Sequence, residues 1–201
     1  KDKYYSESLV AKVEREVVHD NKLSYGFGSE YKYDWGHYQT KTFSSQTRGH
    51  LSNLGFFANA GYKLNNNQIL SLHSRNDDHK ETGGNKTYKI NFTQFLGKFK
   101  LGLTHSTGLK NASLYELYGN IGPEKSETNE IYADYNFSEN IKLSTTAYRT
   151  RMKDRIKIKS DWSAYENKLP DTTQEGLESE IKLLRKNQSI SLVSHFAKSR
   201  S

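Results

Sequence analysis

From Lys22 to Gly36 the chain alternates: Leu23, Tyr25, Phe27, Tyr31, Tyr33 and Trp35 share one parity, and Lys22, Ser24, Glu30, Lys32 and Asp34 the other. A helix would scatter these side chains around its circumference, whereas a pleated strand sends neighbours to opposite faces, so the segment reads as a long strand with one greasy face. The pattern returns in Leu54, Phe56, Ala58, Ala60 and Tyr62, in Tyr88, Ile90 and Phe92, and in Ile131, Ala133, Tyr135 and Phe137. Phe99-Leu101-Leu103, Ile141-Leu143-Ala147, Leu177-Ile181-Leu183 and Ile190-Leu192-Phe196 continue it. No apolar run exceeds three residues. Spanning helices need about 20 apolar residues in succession and secretory leaders about 7–15, so both are excluded from the 201 residues and the chain is expected to begin already mature or already cut. Alternation also accounts for a composition of 33% hydrophobic residues that includes 14 Tyr and 9 Phe. With no Cys, disulfides and thiolate metal sites are excluded, and nothing firm follows about compartment.

The alternating segments parse into about ten strands, roughly 6–18, 22–38, 50–64, 68–76, 87–96, 99–108, 127–137, 141–159, 172–185 and 189–198. The links between them run about 3, 11, 3, 10, 2, 18, 3, 12 and 3 residues, so every second one is short. Short links at one edge and long links at the other describe an up-and-down antiparallel sheet with two unlike ends, the layout of a transmembrane β-barrel. His19-Asp20-Asn21, Asn65-Asn66-Asn67, Ser138-Glu139-Asn140 and Lys186-Asn187-Gln188 supply the residues that tight turns favour. Soluble strands average about 5–6 residues, membrane strands about 9–11, and most of these segments reach the longer value. Aromatics near strand ends (Trp35, Tyr38, Phe99, Tyr135, Phe137) fit interfacial girdles. The predicted fold is all-β: an antiparallel up-and-down transmembrane β-barrel, partial or small and closed, over residues 1–201. A soluble β-sandwich or lipocalin-like barrel is the alternative.

Residues 108–119, Gly-Leu-Lys-Asn-Ala-Ser-Leu-Tyr-Glu-Leu-Tyr-Gly, with Pro123-Glu124-Lys125-Ser126 after them, resemble the outer segment of TonB-dependent outer-membrane receptors. Arg75-Asn76-Asp77-Asp78-His79 with Gly83-Gly84 resembles a loop after an ascending strand in that family, and Tyr165-Glu166-Asn167 through Thr173-Gln174-Glu175-Gly176-Leu177-Glu178 a later loop and strand. The resemblance, greatest to vitamin B12 and siderophore receptors, spans roughly residues 50–198 in order. Only Asn120-Ile121-Gly122 separates Gly119 from Pro123, where the family has a longer link, which implies altered ligand contacts. The family barrel has about 22 strands around a plug. No plug domain or TonB box precedes Lys1, and no closing aromatic strand ends at Ser201, so the chain is expected to be a central stretch of barrel, as a fragment or a split gene product.

Three groups of residues are site candidates. Tyr115, Glu116 and Tyr118 combine aromatic faces with a carboxylate in a long loop, suited to a ring-bearing solute. Leu114, Leu117 and Tyr118 equally suit a helical turn packed on the rim. Asp77, Asp78 and His79, with Asn76 and Asn85, suit a cation such as calcium, or a solvated loop tip. Arg149, Arg151, Lys153, Arg155, Lys157 and Lys159 form a cationic stripe on one strand face. It reads as a lumen ladder paired with Glu175, Glu178 and Glu180, as a contact for lipopolysaccharide phosphates, or as an anionic-ligand site. Nucleic acid is disfavoured because no aromatics interleave on that face. The seven His residues show no metal-ligand spacing, and no motif positions a nucleophile, so neither metal, cofactor nor enzyme activity is predicted.

What the resemblance implies is a receptor and transporter barrel of the bacterial cell outer membrane, for a scarce solute such as cobalamin or an iron-siderophore complex. Its partners would be outer-membrane lipid and lipopolysaccharide, and a TonB-type energy-coupling protein only if a plug exists elsewhere. The competing expectation is a soluble or surface-anchored β-sheet binding protein.

Overall fold

A computed structural model describes residues 3–40, 45–113, 116, 121–162, 164–186 and 188–200, with side chains at all of these except 4, 38–40 and 45–48. Among them are twelve strands: β1 (Lys3–Val18), β2 (Leu23–Thr40), β3 (Ser45–Asn65), β4 (Gln68–His79), β5 (Gly83–Leu96), β6 (Phe99–Lys110), β7 (Glu124–Ser138), β8 (Ile141–Lys153), β9 (Arg155–Ile158), β10 (Tyr165–Lys168), β11 (Thr172–Arg185) and β12 (Gln188–Arg200). Ten of them make one antiparallel sheet in the order β1-β2-β3-β4-β5-β6-β7-β8-β11-β12, and β9 pairs only with β10. The up-and-down sheet predicted from the alternation is the fold observed.

Directly opposed residues of an antiparallel pair share a face, so each face can be followed across the sheet. Phe27 opposes Ala58, Ala58 opposes Ser74, and Ser74 opposes Tyr88. Farther on, His105 opposes Asn129, Asn129 Arg149, Arg149 Glu175, and Glu175 Lys198. This face, apolar through its middle, carries Phe27, Phe56, Leu72, Leu103, Ile131 and Leu192, whose exposures run from 48% to 70%. The opposite face is polar. Among the described residues the buried hydrophobics are only Leu51, Ala112 and Ile121, so a single layer of sheet has no second layer to bury its greasy side. A water-soluble sandwich would cover that side, because contiguous apolar patches beyond a few hundred Å² are rare on soluble monomers.

The tight turns form where polar residues satisfy the bend. Asp20 Oδ1 accepts hydrogen bonds from the backbone N–H of Lys22 (2.7 Å) and Leu23 (2.6 Å), and Asn65 Oδ1 one from Asn67 (2.8 Å). Gly97, at φ +58°, turns β5 into β6; without a Cβ it takes this left-handed conformation at no steric cost.

Three expectations need correction. The links of about 11 and 10 residues anticipated after the second and fourth strands are residues 41–44 and 80–82, because β2 to β5 run on as hairpins beyond the apolar band. There both faces are polar, so the alternation that marks a strand disappears while the backbone ladder continues. Asp77, Asp78 and His79 are accordingly the end of β4 rather than a loop. The cationic stripe is also interrupted: Asp154, at φ +54°, ends β8, so Arg155 and Lys157 belong to β9 and Lys159 to the loop after it. Asp is one of the few residues that take the left-handed region readily.

Candidate functional site

One end of the sheet carries only short turns, while the other carries the two long links, 111–123 and 154–171, besides the short 41–44 and 80–82, and the cleft of interest lies on the polar face at that longer-link end. It measures about 510 Å³ and is walled by Lys32, Asp34, Leu51, Asn53 and His79 from β2, β3 and β4, with Asn111–Ser113 after β6 as a strap. The strap is packed in place: Ala112 is 2% exposed, and Leu51 and His79 each 5%. Thr82 Oγ1 donates to Asn111 Oδ1 (2.8 Å), tying the strap to the β4–β5 turn. Glu116 anchors its far side, its Oε2 accepting from the Ser113 N–H (2.8 Å) and its Oε1 lying 3.7 Å from Lys110 Nζ. Burial works to raise the Glu116 carboxyl, but the Ser113 hydrogen bonds and the Lys110 charge outweigh it and hold the group below its ordinary value.

Each wall position follows from strand parity. Lys32 and Asp34 are two apart on β2 and pair at 2.9 Å, while Ser8 Oγ of β1 donates to Asp34 Oδ1 at 2.7 Å. Deeper on the same face, the Arg75 guanidinium forks between Asp77 (Nε to Oδ2, 2.8 Å; Nη2 to Oδ1, 2.8 Å) and Glu30 (2.9 Å). Asn53 Nδ2 donates to Asp77 Oδ1 (2.6 Å). Gly55 makes room for this fork, since a Cβ there would run into the Arg75 guanidinium. His79 closes this wall at the end of β4. Its Nδ1 faces the N–H groups of Glu81 and Thr82, each at 3.3 Å. An imidazole turned toward two backbone N–H groups, a Lys-Asp pair and amide side chains suit binding of a polar or anionic solute.

The residues singled out from sequence separate in space. Asp77 and His79 are on the polar face, with His79 in the cleft, while Asp78 points to the opposite face, opposed to Leu54. Asp77 is taken up by Arg75 and Asn53, and among the described residues no group of three or more His, Asp or Glu is placed to hold a metal ion. Glu116 stands on the strap, and Tyr115, Tyr118, Leu114 and Leu117 lie outside the described residues. Arg149, Arg151 and Lys153 share the face of Leu143 and Ala147, not the polar face of a lumen ladder. Arg149 meets Glu175 at 3.4 Å and Arg151 meets Asp171 at 2.7 Å. Glu178 and Glu180 have the other parity, and Glu178 pairs with His195 at 3.6 Å.

Sequence reading missed the Lys32, Asp34, Asn53 and Arg75 wall, and also Asn167. Asn167 Nδ2 donates to the carbonyls of Asp154 (2.6 Å) and Gly122 (3.1 Å), its Oδ1 accepting from the Gly122 N–H (2.8 Å), which ties the β9–β10 hairpin to the segment before β7. The expected fourth strand stops at residue 76 and leaves Asp77 off it, and Glu30 and Asn53 arrive through register.

A single-layer antiparallel sheet with one apolar and one polar face, crowned by a strap over the polar side, is the wall of a wide barrel. No curated protein matches the sequence. Among solved structures, the chain is similar to the siderophore receptor PirA of Pseudomonas aeruginosa (TM-score 0.74, 18% identity) over 98% of this chain and 41% of that one. It is also similar to a mutant of the ferric enterobactin receptor PfeA of Pseudomonas aeruginosa in complex with enterobactin (0.77, 17%; 96% and 36%). The FrpB iron transporter of Neisseria meningitidis is a third such structure (0.77, 11%; 98% and 37%). The chain therefore spans about two fifths of the length of these receptors, and at such identities the likeness is one of fold. The profile of the family described as TonB dependent receptor-like, beta-barrel matches residues 1–193, and the chain belongs to that family.

Proposed function

We propose that this chain is a stretch of barrel wall in an outer-membrane receptor that takes up an iron chelate, its apolar face against lipid and its polar face toward the lumen. The observation that carries the reading is the unlike pair of faces together with the cleft at the longer-link end, where a solute arriving from outside would first meet the polar wall. The apolar band has fitting dimensions. On β2, Tyr25 to Trp35 span ten residue steps, about 34 Å of strand, or about 26 Å of height at a tilt of ~40°, against a lipid band of about 25 Å. Rings gather at both limits: Phe99, Tyr135 and Phe137 (4.4 and 4.6 Å between centroids) at the turn end, and Tyr5 with Trp35 (5.5 Å) at the other.

An iron chelate is favoured over cobalamin because the solved receptors named above are iron or siderophore proteins by description. The family and these neighbours are transport receptors, and the chemistry assigned here is binding without catalysis. A TonB-type partner would act on a plug, so coupling belongs to the whole receptor rather than to this stretch of wall.

Trp35, whose ring is on the apolar face, borders the cleft from behind its Lys32 and Asp34 wall, near enough to report on a bound quencher, and provides the test. In detergent micelles, a Trp162→Phe variant, whose remaining Trp is Trp35, should show saturable quenching by a ferric tris-catecholate, and Lys32→Ala should weaken it roughly tenfold through loss of a charged contact. Unsaturable quenching equal in both variants would remove the cleft from the transport path. Solubility without detergent would remove the membrane reading itself.

A further inference from the structure

The apolar face does not end at its aromatic limit. Beyond the Tyr88 and His105 rings (5.6 Å apart) it opens into a groove of about 360 Å³ whose charged walls are Lys86, Lys125, Arg151, Lys153 and Glu127. Glu127, directly opposite Arg151 in register, is the one carboxylate residue of these walls, and Arg151 is balanced, meeting Asp171 at 2.7 Å. The three lysines are not. Lys125 lies directly opposite Lys153 across the β7–β8 pair, and among the described residues none of Lys86, Lys125 and Lys153 has a carboxylate within 4.0 Å. Like charges placed directly opposite in a sheet destabilise it, so this pairing lacks an anion.

We propose that the groove binds the phosphate groups of a phosphorylated lipid in the leaflet that the apolar face touches. This rests on the membrane reading above. Position selects a lipid over a free ion: the cations continue the face that carries Leu103, Ile131 and Ala147, so a headgroup on acyl chains lying against that band would reach them. The lysines have long stems that can lie along apolar surface with the ammonium in the headgroup layer. The polar-face cleft is on the other side of the sheet, so the two sites are independent.

The test is retention of lipid by the chain refolded in phosphatidylcholine vesicles doped with lipid A or with its dephosphorylated form, read by native mass spectrometry after extraction. The chain should retain the phosphorylated form roughly tenfold better, as charge-assisted contacts of this kind imply. Lys125→Gln/Lys153→Gln should abolish the preference, Lys86→Gln should reduce it, and Lys63→Gln on the polar face should leave it intact. Heat-modifiable migration reports whether each variant folds, and the single Lys86→Gln change keeps the comparison decisive if the double variant does not. Equal retention of both lipids by a chain that inserts overturns the groove alone. Displacement of lipid A by an equimolar amount of inorganic pyrophosphate overturns the lipid as its ligand. A chain that enters neither vesicle overturns the membrane reading and the groove together.

Discussion

At Gly55 the absence of a side chain is what lets Arg75 lie flat against β3 and reach Glu30 and Asp77 together. Gly55→Ala should force the guanidinium away and strand carboxylates on a half-buried face, costing about 1–3 kcal/mol in the thermal or denaturant unfolding of the micelle-bound protein. Gly84→Ala, where a Cβ meets open space, should stay within about 0.5 kcal/mol. Gly102 is a second such position, a Cβ there colliding with the Tyr132 ring, whose hydroxyl is 2.7 Å from Thr93 Oγ1. Glu116 gives a pH prediction. Its folded carboxyl titrates below the ordinary 4.5, so the strap gains stability from it that is complete above 4.5 and disappears as the pH falls through the lower folded value. A carboxyl NMR titration of Glu116 should have its midpoint below 4.5, and Glu116→Gln should make strap order independent of acid. A midpoint at the ordinary value would mean the Ser113 contact does not hold the carboxylate.

Within a single strand, neighbouring residues see opposite environments, and β4 shows how sharply. Leu72 faces the apolar side at 48% exposure and Ser71 the polar side. Arg at position 72 should cost about 2–4 kcal/mol in a lipid-exposed band and lower the folded yield, whereas Arg at position 71 should be nearly neutral; refolding into vesicles measures both. Equal effects would contradict the assignment of faces. The β9–β10 hairpin depends on a smaller anchor, the three hydrogen bonds of Asn167. Asn167→Ala should speed proteolytic cleavage within residues 154–171 while leaving the ten-stranded sheet protected.

On the scale of the whole sheet, β1 and β12 each pair on one side only. Unpaired backbone groups are not tolerated in hydrocarbon, and β12 is exposed along its length. The 201-residue chain alone in detergent should therefore associate edge to edge, giving a light-scattering mass above 23.2 kDa, and a monodisperse monomer would show that the edges close on each other instead. In a receptor about two and a half times longer, neighbouring strands would cap these edges.

Period-two alternation determined the all-β class, the up-and-down order and the greasy face, because those follow from local backbone geometry and from which side chains avoid water. The residues of Ser113-Leu114-Tyr115-Glu116-Leu117-Tyr118-Gly119 carried the family. Strand ends were less legible: past Leu72 on β4 both faces are polar, and hydrophobic contrast, the signal that marks a strand, is gone. Only tertiary structure decided the site. Glu30 and Arg75 are 45 residues apart, Asn53 and Asp77 24, and their meeting depends on register, set by turns and ladder pairing rather than by either segment's own pattern. The cationic stripe teaches the same point. Its spacing was plain in the sequence, but a single left-handed Asp154 divided it, and register alone placed Lys125 against Lys153 on the face that meets lipid in the proposed membrane setting.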